Sequence, residues 1–194
     1  MRATRRLAAP TLGLVAALAA GCGAERPTGA ALDLSGGRPV RRLDFPRVGL
    51  KLSVPLGSRP ERRPAPGVFR LSIGEAFAAA FAYRRAEPLP STPDDLRAAE
   101  RRLVQAVRRR DHGFRLIDAH VTRVAAAPAI ELVGDQTLSR TRLRTRSVHV
   151  FKGQVEYVLD MAAPVASFRT TNRRSFRRMV RSLRVTGTFR GARR

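Results

Sequence analysis

The sequence predicts an α+β domain, with a largely antiparallel sheet of about six to seven strands packed against two helices. Three observations predict this fold class. From about residue 47 onwards, most segments alternate apolar and polar residues with the period of two that a half-buried strand needs. Two segments instead repeat apolar residues at helical spacing, and short turns join the strands, which makes neighbouring strands antiparallel. Hydrophobic residues make up 43% of the chain and charged residues 27%, as in an ordinary globular domain.

Residues 1–21 have the order of a secretory signal. A basic start with Arg2, Arg5 and Arg6 precedes the uncharged, mostly apolar run Leu7–Ala20, and small residues lead directly to Cys22. This ending resembles the lipobox of bacterial lipoproteins, although alanine occupies the position three before the cysteine where leucine is usual. The resemblance implies cleavage before Cys22, lipid attachment to Cys22, and a location at the extracytoplasmic face of the cell membrane.

Other interpretations of this segment stay open. The uncharged run is at the short end of what spans a bilayer of roughly 30 Å, so an uncleaved anchor is one alternative and a secreted protein another. Arg5 and Arg6 also leave both general and twin-arginine export possible. Membrane lipid, attached through Cys22, is the partner that the lipoprotein interpretation implies.

The rest of the chain divides into three parts. Residues 22–46 are rich in glycine, proline and arginine and predict a lipidated N-terminus with a flexible linker. Residues 47–189 form a single α+β domain, and residues 190–194 a disordered tail. The chain has one cysteine, which excludes an intrachain disulfide bond.

The first three strands of the domain precede its first helix. Alternation from Val48 to Val54 predicts a strand that Pro55 ends, and Val68–Ile73 predicts the second. Ala76–Tyr83 is the third, and its period of two places several side chains on one face. These are Phe77, Ala79, Phe81 and Tyr83.

The first helix begins with strong local signals. Thr92 can cap it, proline suits its first position, and two acidic residues follow at the positive end of the helix dipole. The helix is expected to run to about Arg110. Its apolar stripe consists of Leu96, Ala99, Leu103 and Val107.

Four strands and a second helix complete the domain. The strands are Phe114–Val124, Ala129–Asp135, Leu143–Phe151 and Val155–Met161, with a tight turn at Lys152-Gly153. The second helix is predicted over roughly Arg173–Leu183, with Asn172 as its cap, because apolar residues recur at helical spacing. They are Phe176, Met179, Val180 and Leu183. Residues 184–189 can add a short strand.

The stretch Arg146–Leu183 resembles the C-terminal half of PsbP-like and LpqN-type lipoprotein domains. It has a hairpin ending in an aromatic-rich strand, an alanine-proline step and a helix ending in Ser182-Leu183. The segment Phe45–Pro55 is similar to the opening strand of such domains. The resemblance implies an α/β/α sandwich with an antiparallel sheet and a non-enzymatic role in envelope binding, assembly or scaffolding. It carries over no site residues.

Charge indicates the kind of surface that attracts this protein. The formal net charge is +23, and almost every basic residue is arginine. Such a chain is drawn to anionic lipid, wall polymer or nucleic acid. Alternate spacing puts Arg140, Arg142, Arg144 and Arg146 on one strand face, either as a solvated strand end or as an anion-binding stripe. The arginines of the second helix lie opposite its apolar side.

No catalytic residues, metal site or cofactor are predicted. His112 falls in a turn, while His120 and His149 fall in strands, where each could meet a glutamate across the sheet, Glu131 or Glu156. Ser147 shares a strand face with His149 but has no evident third partner. Glu156 and Asp160 are expected to be surface or sheet-face carboxylates rather than a glycosidase pair.

These patterns favour a membrane-anchored, extracytoplasmic, non-enzymatic binding or scaffolding domain of the cell envelope. An envelope protein or an anionic polymer is its expected partner. The first alternative is an extracytoplasmic enzyme acting on cell-wall material. The second is polyanion or nucleic-acid binding through arginine-rich surfaces, but nucleic acid is not expected as a partner because basic patches interleaved with aromatic residues are absent.

Overall fold

The computed structural model describes residues 32–33, 39–138 and 140–189. The predicted signal segment, Cys22, most of the predicted linker and the tail 190–194 lie outside the described residues. The strands are β1 Leu32–Asp33, β2 Val40–Phe45, β3 Leu50–Pro55, β4 Glu61–Arg62, β5 Gly67–Ile73, β6 Ala76–Arg84, β7 Arg115–Val124, β8 Ala127–Leu138, β9 Thr141–Lys152, β10 Val155–Pro164 and β11 Arg184–Val185. The helices are α1 Pro93–Arg110, α2 Val165–Thr171 and α3 Arg177–Ser182, with a π-helical turn, Asn172–Phe176, joining the last two.

The described strands form two sheets, and every strand pair in them is antiparallel. The larger sheet has seven strands in the order β4-β5-β6-β10-β9-β8-β7, and the smaller has four in the order β1-β2-β3-β11. The prediction of an α+β fold with a largely antiparallel sheet and helices packed on it is confirmed. The second, smaller sheet was not foreseen.

Helix α1 begins as the sequence predicts. Thr92 is the N-cap: its hydroxyl accepts a hydrogen bond from the Asp95 amide, and the Asp95 side chain accepts one from the Thr92 amide. This reciprocal arrangement uses two amide donors that a helix start would otherwise leave unpaired. Leu96 and Ala99 are buried against the larger sheet.

Strand β2 lies inside the predicted linker, so ordered structure begins before residue 47. The paired arginines at positions 41 and 42 interrupt the alternation that marks a strand. The strand forms because it pairs along its whole length with β3. Leu43 is buried, and the ring of Phe45 stacks on Phe69 at 5.4 Å between centroids, so this hairpin contributes to the core.

The predicted start of the second helix is wrong. Helical structure begins at Val165, directly after Pro164, and Asn172 has helical backbone angles within it rather than capping it. The side chain of Asn172 instead accepts a hydrogen bond from Arg146 at 2.7 Å. Phe176, Met179 and Leu183 are fully buried, as the helical spacing predicts.

Unequal layers cover the two faces of the larger sheet. The smaller sheet and the C-terminal helices pack on one face and enclose the main core with residues such as Val148, Tyr157 and Leu159. On the other face, α1 packs over β7 and β8 at one end. The part of this face formed by β6, β10 and β9 is therefore left partly open beside α1. None of the described helices is long and apolar enough to cross a membrane.

Candidate functional site

A cavity of about 360 Å³ lies on the partly covered face of the larger sheet, beside α1. Its floor includes three aromatic side chains of β6, Phe77, Phe81 and Tyr83, which we call the aromatic row. Ala79 interrupts the row and lies opposite Asp160 of β10 in the sheet register. Because alanine is small, this register leaves space above Asp160 between the two phenylalanines.

The walls of the cavity are mostly apolar. Helix α1 contributes Leu103, Ala106 and Val107, and Phe114 follows it. Arg109 and Arg110, at the end of α1, also line the cavity. A concave, mostly apolar space with a few polar groups is the usual form of a small-molecule site.

A chain of polar side chains, which we call the relay, crosses strands β9 and β10 below the cavity and ends at Arg85, just after β6. Ser147 Oγ lies 3.0 Å from His149 Nε2, and His149 Nδ1 lies 2.7 Å from Glu156 Oε1. Arg85 Nε donates to Glu156 Oε2 at 2.7 Å. At the other end, the hydroxyl of Ser147 donates to Asp160. The relay therefore runs from Arg85 through Glu156, His149 and Ser147 to Asp160.

Burial makes the relay electrostatically important. His149 is 4% exposed and Glu156 is 3% exposed. Burial alone would raise the pKa of Glu156, but the hydrogen bond and charge of His149, together with Arg85, outweigh it and hold that pKa below its usual value. Glu156 is therefore the fixed anion of the relay.

Asp160 behaves in the opposite way. Enclosure beneath the cavity raises its pKa, and Ser147, His149 and Arg110 only partly oppose that effect. The neighbouring Tyr83 has a pKa of about 12, because it is desolvated and lies near the carboxylates of Asp160 and Glu156.

Two placements of a proton satisfy the hydrogen bonds of the relay. Ser147 makes two hydrogen bonds, to His149 and to Asp160, but its hydroxyl carries a single proton. Because His149 Nδ1 faces the Glu156 carboxylate, both hydrogen bonds of Ser147 form when a further proton lies either on His149 Nε2 or on Asp160. Moving it from one to the other through the hydroxyl of Ser147 keeps both hydrogen bonds and leaves the total charge unchanged.

Ser147, His149 and Glu156 also stand in the order of a nucleophile, a base and an orienting acid. The expectation that Ser147 and His149 lack a third partner is therefore wrong, since Glu156 reaches His149 diagonally across the β9–β10 hairpin. β9 is an interior strand, so its backbone amides are used in pairing to β8 and β10. The backbone beside Ser147 consequently offers no ready oxyanion site.

The other two histidines, His112 and His120, lie apart from the cavity. His120 is opposite Glu131 in the register, as expected, but its ring contacts Asp118 at 2.9 Å, while Glu131 pairs with Arg146 at 2.7 Å. His112 is exposed in the turn after α1. No group of three or more potential metal-ligating side chains occurs among residues 39–138 and 140–189.

The predicted arginine stripe is only partly a strand feature. Arg140 lies in the turn before β9 with a φ of 66°, so it does not share the strand face. Arg142 and Arg144 both pair with Asp135, at 2.9 and 2.7 Å. Since Arg146 pairs with Glu131, three of the four guanidinium groups already have a carboxylate partner. Anion binding by this stripe remains a prediction.

No protein-family model matches the chain, and no curated protein matches its sequence. Among solved structures, the chain is similar to cyanobacterial PsbP (CyanoP) from Synechocystis sp. PCC 6803, with a TM-score of 0.61 and 13% identity over 83% of this chain and 100% of that one. The chain has a PsbP-like fold. The Ran-binding protein Mog1p of Saccharomyces cerevisiae is also similar, with a TM-score of 0.50 and 8% identity over 75% of this chain and 95% of that one.

LpqN of Mycobacterium tuberculosis, described as involved in cell envelope biogenesis, matches with a TM-score of 0.44 and 12% identity, over 71% of this chain and 89% of that one. The similarity to cyanobacterial PsbP confirms the expectation of a PsbP-like sandwich at the level of fold. At these identities the matches carry no ligand or partner across to this chain.

Proposed function

We propose that this protein is a lipid-anchored, extracytoplasmic binding domain whose cavity beside α1 holds a small, largely apolar ligand. The observation that carries the proposal is the cavity itself, which combines apolar walls with a few convergent polar groups from the relay. The anchor is the lipid expected on Cys22. Binding without chemical conversion is the primary role in this proposal.

The basic face of the C-terminal helices supports a position at an anionic membrane surface. These side chains, which we call the helix arginines, are all exposed. They are Arg173, Arg174, Arg177, Arg178 and Arg181. Each basic group near an anionic surface contributes about 1 kcal/mol of attraction. A domain tethered through Cys22 can therefore rest this face against lipid head groups, away from the cavity on the opposite side of the sheet.

The cavity is tested with N-phenyl-1-naphthylamine, an uncharged apolar dye whose fluorescence rises on leaving water. We expect saturable binding of one dye per purified full-length chain. Ala106→Phe places a ring in the cavity wall and should abolish binding, whereas the matched variant Gln105→Phe adds a ring to the exposed side of α1 and should not. Binding that survives in Ala106→Phe would contradict the proposal.

Hydrolysis is a second candidate function, favoured by the distances that join Ser147, His149 and Glu156. Ser147 would attack an ester carbonyl from the cavity while His149 accepts its proton and then passes that proton to the departing alcohol as the ester C–O bond breaks. Water would then hydrolyse the acyl-serine and restore the hydroxyl of Ser147. A fluorophosphonate probe tests this candidate, because it labels only an activated serine. Labelling that is lost in Ser147→Ala but kept in Ser167→Ala would establish the candidate, and absence of labelling in the unmodified chain would remove it.

A further inference from the structure

We propose that the cavity recognises an organic ammonium group, with Asp160 as its counter-ion and the rings of Phe77 and Phe81 on either side. The inference rests on the proposed function, because it assigns a head group to the ligand of the same cavity. The apolar walls then hold the body of the ligand, so the ligand class is a small alkyl or aryl amine.

The sheet register creates this arrangement. Asp160 lies opposite Ala79, and the neighbouring residues of β6 on the same face are Phe77 and Phe81. The side chain of Asp160 lines the cavity and retains some accessible surface, while one of its oxygens accepts the proton of Ser147. A carboxylate between aromatic rings suits a cation, because the ring faces attract positive charge most strongly in desolvated sites.

The other charged groups near Asp160 also influence whether the cavity prefers a cationic or an anionic ligand. On β9 and β10, His149 and Glu156 belong to the relay, and the charge of Glu156 is matched by Arg85. Tyr83 on β6 stays neutral because its pKa is about 12. Arg109 and Arg110 from α1 and Arg146 from β9 also line the cavity and favour an anionic ligand instead. The charge of Arg110 acts on Asp160 as well. An alkanoate is therefore the alternative that an experiment must include.

Protonation of Asp160 competes with a bound cation. Burial raises the pKa of Asp160, and a neutral carboxyl group cannot act as a counter-ion. Affinity for an amine should consequently fall as the pH falls, by up to about tenfold per pH unit where a full proton is exchanged.

Octylamine, octanol and octanoate have the same octyl chain and differ in the charge of their head groups. Together they separate the contribution of the head group to binding from that of the apolar chain. Calorimetric titration of the full-length chain should show octylamine binding at least tenfold more tightly than octanol or octanoate. Asp160→Asn should remove that preference and leave octanol binding within about twofold of the unmodified chain. Asp118→Asn, which changes an exposed carboxylate on β7, is the matched control and should change nothing.

Phe81→Leu provides a second variant, since it keeps an apolar wall but removes one ring face. This variant should bind octylamine severalfold more weakly than the unmodified chain, whereas its affinity for octanol should change little. Preference for octanoate, or equal loss of octylamine and octanol in Asp160→Asn, would overturn ammonium recognition while leaving the cavity as a binding site. Failure of all three probes to bind would instead overturn the proposed function.

Discussion

Glu156 is the residue on which the relay depends for its fixed negative charge. It accepts hydrogen bonds from Arg85 and His149 while almost fully buried. Glu156→Gln leaves both partners without their anion, so we expect the free energy of unfolding to fall by about 3 kcal/mol at neutral pH. Chemical denaturation measures this loss. Glu75→Gln, at an exposed position, is the control and should leave the free energy of unfolding almost unchanged.

The pH dependence of that loss has a defined sign. The pKa of Glu156 is lowered by folding, so its contribution to stability is present above the unfolded pKa and disappears as the pH falls through the folded one. The difference between Glu156→Gln and the unmodified protein should therefore shrink below about pH 4. A difference that stayed constant as the pH fell well below about 4 would contradict the assigned charge.

Ala125 and Ala126 form the turn between β7 and β8 with φ values of 52° and 60°. The left-handed region is costly for alanine and free for glycine. Ala126→Gly should therefore raise the free energy of unfolding by about 0.5–1 kcal/mol. Ala98→Gly is the matched comparison, because glycine inside helix α1 should lower the free energy of unfolding by about 1 kcal/mol.

At the scale of elements, the capping box of α1 positions a wall of the cavity. Thr92→Ala removes the hydroxyl that accepts from the Asp95 amide and should destabilise the protein by about 1 kcal/mol. Ser91→Ala, at the preceding exposed position, is its matched control. Thermal unfolding distinguishes the two, and equal midpoints would show that the cap does not stabilise the fold.

Local signals decided which elements the sequence could predict. The start of α1 was predictable because Thr92 and Pro93 act on their immediate neighbours. The start of α2 was not, because Pro164 provides no side-chain cap and the helix is held by packing instead. Phe168 and Phe176 are both buried on this helical segment. The π-helical turn shifts the spacing between them away from that of an α-helix, so the sequence pattern does not reveal that they belong to one helical segment.

The relay was half predictable for a similar reason. Alternation places Ser147 and His149 on one face, and a tight hairpin brings Glu156 near them. Asp160 lies opposite Ser147 in the same hairpin, so the hairpin register sets its place. Arg85 joins the relay only through the pairing of β6 with β10, which are far apart in the sequence. Long-range register of this kind depends on the assembled core, and no local residue pattern encodes it.

At the scale of the molecule, the sheet separates a basic face from the cavity. If the helix arginines rest on anionic lipid, their replacement by glutamine should weaken binding to phosphatidylglycerol vesicles, and added salt should weaken binding of the unmodified chain. Sedimentation with vesicles measures both effects. The control replaces five exposed arginines of α1 by glutamine and tests whether the opposite face binds the vesicles instead. They are Arg97, Arg101, Arg102, Arg108 and Arg109.

The lipid anchor is a separate claim with its own outcome. Cys22→Ser should abolish metabolic labelling with palmitate and release the protein from membranes. Labelling that continues in this variant would remove the anchor from the account but leave the cavity unaffected, since the cavity is built wholly within the folded domain.

The three histidines make it possible to detect directly a ligand that binds above the relay. Imidazole nitrogen and proton resonances are recorded while N-phenyl-1-naphthylamine is added to the full-length chain. A dye molecule in the cavity should cause a saturable shift of the resonances of His149, whose ring contacts Ser147 on the cavity floor. The resonances of the exposed His112 and His120 should stay unchanged. Dye binding that leaves the His149 resonances unmoved would show that the cavity above the relay is not the binding site.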